Sequence, residues 1–283
     1  MQSTMNARKK KQIGKAALTL LMVAVGVCFL LPFFWMLSAS MKPEIDVFKY
    51  PIQWIPQDWR FVENYKEVWF GEHPFALYYW NSIKVSVVTT IVSVLVSAMA
   101  AFAFSHVEFP GRKALFGVVL LTFMVPSYSI LVPQFMIFRW FDLFDSHLGL
   151  VFLGSFSALG TFMLRQFFLG LHKDYMDAAL IDGAGTFTTF FRIALPLVRP
   201  ALATYAILRF IWTWNDYANP LIFLRSDRLM TVQIGIQKFA AESGAFYSLI
   251  MAGTVSAILP LLIIFVIGQK QVIEGIALGG VKG

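Results

Sequence analysis

Five stretches of 17 to 25 residues carry no charged side chain, and their length restricts this chain more than any other feature. They are residues 16–40, 85–104, 114–138, 148–164 and 249–268, and a sixth, 201–214, is interrupted only by Arg209. The hydrocarbon core of a bilayer is about 30 Å thick, so a crossing helix needs roughly 20 apolar residues at about 1.5 Å each. Six such segments predict an all-α polytopic membrane protein with six transmembrane helices. The first stretch follows Arg8-Lys-Lys-Lys11 and Lys15 as a signal peptide would, but exceeds the apolar core of a leader, so it reads as an uncleaved first span. Residues 186–198 are rejected as a span because they are too short and contain Arg192.

Hydrophobic residues make up 58% of the 283 and charged ones 14%, a balance that only bilayer burial explains. The positive-inside rule orients the spans. With the N-terminus inside, the inner segments hold 13 Lys and Arg and the outer ones 9, so both termini are expected in the cytoplasm. Segment 1–15 is then a cytoplasmic start, 41–84 an outer loop, 165–200 an inner loop, 215–248 an outer loop and 269–283 a cytoplasmic tail, with 85–268 forming a five-helix core. Aromatic residues at Phe33–Trp35, Tyr78–Trp80, Trp140 and Trp212–Tyr217 all fall at the outer boundary under this scheme. The net charge of +7 is scattered over loops, which topology explains and nucleic-acid binding does not. Cys28 lies inside the first span with no disulfide partner or metal-ligand neighbours and reads as packing.

The inner loop has its own pattern. Asp174 can cap a short helix with Asp177 near its positive end, Gly183 and Gly185 favour a turn, and Thr186 can cap a second helix. In that helix Phe187, Phe190, Phe191 and Ala194 form one apolar face, and Pro196 and Pro200 are expected to stop it. Two readings fit an amphipathic pair here: it lies on lipid headgroups, or it docks a soluble partner.

The run Asp177-Ala-Ala, Asp182-Gly-Ala184, Ile193, Leu195-Pro196 and Pro200 resembles the Glu-Ala-Ala loop of binding-protein-dependent ABC importer permeases, and its place between the fourth and fifth spans matches. Here Asp177 replaces the usual Glu, and His172 stands where a proline is frequent. Ser40-Met-Lys-Pro43, Phe109-Pro-Gly-Arg112, Trp214-Asn215, Asn219-Pro-Leu221 and Gly279–Gly283 extend the resemblance along nearly the whole chain, towards the carbohydrate-importer permeases of the maltose type. The resemblance implies a type I ABC importer permease in the bacterial inner membrane. It implies that Asp177, Ala178, Ala179, Asp182, Gly183, Ala184 and Gly185 couple the chain to a separate ATPase. It further implies a second homologous permease subunit in a heterodimer, two ATP-binding subunits that hold ATP and Mg, and an extracytoplasmic solute-binding protein met by Phe223–Phe246, where Gly235 and Gly244 give reach. The tail Gly279–Gly283, too short to fold alone, is implied to meet the ATPase. No cofactor or metal is expected on this chain.

Trp212, Trp214, Asn215, Tyr217 and Asn219 combine aromatic faces with amides, which suits a sugar as well as an interfacial belt. Arg209 is expected to face protein, water or a headgroup, as an ion pair, a snorkelling chain or a solute contact. Pro126 and Pro133 mark kinks in the third span, for a gate or for packing. Enzyme motifs are missing from the sequence: His73, His106, His147 and His172 are scattered, and Gly14-Lys15 lacks the rest of a phosphate loop. A secondary transporter would need coupling groups in its own spans, where Arg209 stands alone. The expected role is therefore a carbohydrate permease subunit, most naturally for an oligosaccharide, with glycerol phosphate as the alternative solute.

Overall fold

The structure is a computed structural model that describes residues 2–241 and 246–280, with side chains described over 12–240 and 246–271. The regular elements are all helices, and there is no strand among the described residues. In order the helices are α1 (Gln2–Ala39), α2 (Phe61–Phe70), α3 (Phe75–His106), α4 (Arg112–Met124), α5 (Leu131–Trp140), α6 (His147–Ser155) and α7 (Ala158–Leu169). They continue as α8 (Lys173–Ile181), α9 (Thr186–Leu197), α10 (Arg199–Trp214), α11 (Ala218–Phe223), α12 (Val232–Ala241) and α13 (Tyr247–Gly280).

Among the described residues three helices are long and apolar enough to cross a bilayer: Gln12–Ala39 of α1, all of α3, and Tyr247–Gln271 of α13. Three bent pairs reach that length together, which gives six crossings if each pair is one span. The third expected span breaks by 97° between α4 and Ser127–Trp140, and the fourth by 46° between α6 and α7. Pro126 sits at the first break, where it denies the helix a donor. Pro133 kinks nothing, because it falls in the first turn of α5, where no intrahelical donor is needed. Several helices outrun their charge-free cores. The helix holding 85–104 starts at Phe75 and includes Lys84, since a charge ends a span without ending a helix. The expected outer loop 215–248 contains α11 and α12, and α13 carries helix through 269–280 of the expected tail. Residues 281–283 of that tail and Gly244 lie outside the described residues. Cys28, expected to pack, is exposed on α1, whose apolar side chains between residues 13 and 34 are exposed on every face.

Two compact units divide the chain, one built from residues 1–73 and 237–256 and the other from 74–236 and 257–283. In the first, Asn64 is buried and its amide donates to the carbonyls of Ser40 (2.9 Å) and Lys42 (2.8 Å). Lys42, almost fully buried, donates from Nζ to the Gln53 carbonyl. Burial lowers the Lys42 pKa, and the Asp46 carboxylate opposes that shift. The Glu44 carboxylate accepts from the Tyr247 and Ser248 amides (3.0 and 2.8 Å) and from the Ser248 hydroxyl (2.9 Å), so it caps α13. The Ser40–Pro43 run is thus a structural joint.

In the second unit α3 is the central helix and packs on α6, α7 and α10. Its Ser82, Ser86, Thr89, Ser93 and Ser97 recur at helical spacing and are all buried. Small polar side chains let the neighbouring backbones approach, as membrane helices require. Ser93 shares a 2.9 Å hydrogen bond with the Tyr205 hydroxyl, and Gly160 leaves room for that ring. One end of α3 joins a buried cluster of Phe102, Phe168, Met176, Phe190 and Ala194.

Candidate functional site

Helices α8 and α9 form a small hairpin seated on that cluster. The N-cap of α8 is His172, not Asp174, which lies in the first turn and meets the His172 ring at 3.5 Å on the exposed surface. Met176 and Ala179 are the buried anchors of α8. Its end is a Schellman motif: Gly183 N–H donates to Leu180 O (3.0 Å) and Ala184 N–H to Ala179 O (2.9 Å). Gly183 takes φ +79°, a conformation that glycine adopts at no steric cost. The Asp182-Gly-Ala184 triplet therefore encodes a stop and a reversal.

At the start of α9 the N-cap is Gly185, not Thr186. Pro196 does not stop the helix. A π-turn over Phe190–Ala194 precedes it, in which Leu195 N–H donates to Phe190 O, and the helix passes through Pro196 before bending 81° into α10. The inserted residue rotates the part of the helix after Ala194 against the part before it. The expected single apolar face also divides. Phe190 and Ala194 are buried, whereas Phe187 is 75% and Phe191 51% exposed. Leu180 and Ile181 are also mostly exposed. The hairpin therefore presents Leu180, Ile181 and Phe187 outward, with Asp177, Ala178, Asp182, Gly183 and Gly185 exposed, Ala184 half-buried and Ala179 inside.

A second feature lies among α3, α6, α10 and α11. A cavity of about 80 Å³ is lined by Ser86, Thr89, Gly154, Arg209, Trp212, Asp216, Asn219 and Thr231, with other residues of the same elements. Arg209 donates through Nη2 to Gly154 O (2.7 Å). Asp216 accepts from the Asn219 backbone and side-chain amides (3.1 and 2.7 Å), which caps α11. Arg209, Trp212 and Asn219, singled out from sequence, converge here. Trp214 and Asn215 do not. The Trp214 indole is buried, stacks on Phe210 and donates to Ala257 O (3.0 Å), while Asn215 is exposed and donates back to Ile211 O. Tyr78, expected at the outer boundary, is likewise core and donates to Asp227. Sequence reasoning missed Ser86, Thr89 and Thr231. The Ser/Thr periodicity of α3 was the available signal for the first two.

Residues 93–272 match the family described as the binding-protein-dependent transport system inner membrane component. The chain belongs to this family. It is a membrane permease component, and not an ATPase. Among its relatives, the permease is 33% identical over 272 residues to the arabinooligosaccharides transport system permease protein AraQ of Bacillus subtilis (strain 168), covering 96% of this chain and 97% of that one. It is 34% identical over 262 residues to the trehalose transport system permease protein SugB of Mycobacterium tuberculosis (strain CDC 1551 / Oshkosh), covering 90% and 93%. Its fold matches a chain of a bacterial ABC transporter involved in the import of the acidic polysaccharide alginate, with a TM-score of 0.80, 23% identity, and 92% and 96% of the two chains covered. That match gives the chain the architecture of an ABC importer permease.

Proposed function

We propose that the permease forms half of the transmembrane pathway of an ATP-driven carbohydrate importer, most naturally for an oligosaccharide, with both termini in the cytoplasm. The α8–α9 hairpin carries this reading: it is anchored by Met176, Ala179 and Phe190 and rigidly capped, yet displays Leu180, Ile181 and Phe187 to whatever covers it. A soluble ATPase with a cleft for this pair would transmit its closure to α10 through the bend at Val198. Two such subunits hold ATP and Mg, a second permease completes the pathway, and an extracytoplasmic binding protein delivers the solute. The names of the relatives, which specify arabinooligosaccharides, trehalose, diacetylchitobiose and lactose, support a sugar. They favour it over glycerol phosphate. The complex of a neighbouring alginate transporter with its periplasmic protein supports the solute-binding partner. ATP-driven closure then exposes a central path outward, and release of the nucleotides returns it inward.

The test is an Ile181→Asp, Phe187→Asp double variant of the assembled complex. Both side chains are exposed, so membrane insertion is expected to persist while ATPase co-purification and sugar uptake fall at least tenfold, in line with a lost apolar anchor. Full ATPase binding and uptake by the variant would overturn the coupling role.

A further inference from the structure

Cations gather at the end of α3 that joins the hairpin cluster. Arg165 of α7 donates through Nε to Phe104 O (3.1 Å), and its guanidinium lies 4.2 Å from the centre of the Phe116 ring. Arg112 of α4 donates through Nη1 to Val107 O (3.1 Å). The two accepting carbonyls are one turn apart, and the two guanidinia lie within electrostatic reach of each other. Lys113 follows on the exposed surface. Lys173, at the start of α8, is within reach of His106, as Arg112 is.

A structural role accounts for part of this charge. The last carbonyls of α3 carry about half a negative charge, which one guanidinium satisfies. The rest is unbalanced. None of Arg112, Lys113, Arg165 and Lys173 has an ion-pair partner among the described residues. Glu108 lies on the adjoining surface without pairing to any of them, and Asp174 meets His172. The start of α4 adds to the excess, since its positive end has a glycine cap, Arg112 and Lys113, and no acidic residue in the first turn. Each guanidinium leaves most of its N–H donors unused, and the nitrogens left over are not sealed from the surface.

The surface beside these cations has the form of a bilayer boundary. Arg112 and Lys113 border an open hollow of about 480 Å³ together with Phe109 and Gly111. Directly beyond it, Leu115, Val118 and Leu121 of α4 are each more than half exposed. Charge thus gives way to bare apolar helix within one turn, as a headgroup gives way to its acyl chains. A free anion would use only the charged half of this surface, whereas a phospholipid uses both. We propose that the patch binds the headgroup of an anionic phospholipid, its phosphate held between the Arg112 and Arg165 forks beside Lys113 and its acyl chains along α4. The site is independent of the solute carried and of the side of the membrane this end faces.

The test titrates the permease in its assembled complex, stripped of lipid in neutral detergent, with dioleoyl phosphatidylglycerol or dioleoyl phosphatidylcholine, and counts bound lipid by native mass spectrometry. Phosphatidylglycerol is expected to bind roughly tenfold or more tightly than phosphatidylcholine. Arg112→Gln combined with Lys113→Gln removes two charges, and the amide keeps a donor for Val107 O, so the fold is retained. This variant should raise the phosphatidylglycerol Kd about thirtyfold, about fivefold for each cation, and leave phosphatidylcholine binding unchanged. Arg192→Gln with Arg199→Gln is the control. It removes the same charge from exposed positions that do not act on His106 or Arg165, and should leave Kd within about twofold. Equal affinity for the two lipids, no loss in the first variant, or an equal loss in the control would overturn the site. Displacement of phosphatidylglycerol by inorganic phosphate would assign the patch to a free anion, and lost ATPase co-purification with unchanged lipid binding would assign it to a protein partner; either result also overturns it.

Discussion

Single residues decide whether the cavity region keeps its shape, and Gly154 is the tightest of them. A Cβ there would collide with the Thr89 methyl and the Arg209 guanidinium, so Gly154→Ala is expected to expel Arg209 and abolish uptake while the complex still assembles. Uptake by purified vesicles checks it. Asp145 sets a different constraint. In the left-handed region at φ +54°, its carboxylate accepts from the Arg225 and Ser226 amides (both 2.8 Å) and from the Ser226 hydroxyl, joining two loops. Burial raises its pKa, but these hydrogen bonds and the Arg228 charge outweigh that and leave the pKa below the usual value. A depressed acid contributes stability that is complete above the ordinary carboxylate range and is lost as pH falls through its folded value. Thermal melts in detergent should therefore show wild type losing its advantage over Asp145→Asn as pH falls from neutral through and below the ordinary carboxylate range. Nothing at Asp145 signals this in the sequence, because its partners are about 80 residues away.

At the scale of elements, helices were legible and their interruptions were not. Apolar length fixes a crossing because the bilayer sets one number, about 30 Å, and any charge-free run of that size meets it. The breaks at Val125 and Phe156 depend on packing that no run length records. Pro126 and Pro133 look alike in sequence, yet only the one outside a first turn bends the chain. The hairpin is legible as a pair with a glycine turn, while the π-turn before Pro196 and the exposure of Phe187 and Phe191 are not. Gly183→Val tests the turn. Forcing a β-branched residue to φ +79° costs roughly 1–2 kcal/mol, so uptake and ATPase binding should fall together, whereas Gly183→Asn is expected to retain most of both. Equal activity of the two variants would show that the Schellman stop is dispensable.

For the whole molecule, orientation is the property most open to direct measurement. Cys28 is the only cysteine, so Cys28→Ser gives a silent background for single probes. Ile55→Cys and Ile181→Cys replace side chains that are 74% and 87% exposed. A membrane-impermeant maleimide added outside intact spheroplasts should label the first and spare the second until the membrane is opened. The reverse pattern would invert the proposed topology. Purified alone, the permease is expected to hydrolyse no ATP in a phosphate-release assay, since that chemistry belongs to its partners. The Glu44 clasp on α13 has a bearing on how the protein is made. Its two halves leave the ribosome some two hundred residues apart, and extending a loop to that length adds little closure entropy, so distance is no obstacle to the join. Timing is. The compact unit begun by the first span remains open until residues 237–256 have been synthesised and inserted, so the beginning of the chain is among the last parts to mature, and a premature stop anywhere upstream leaves it unfinished.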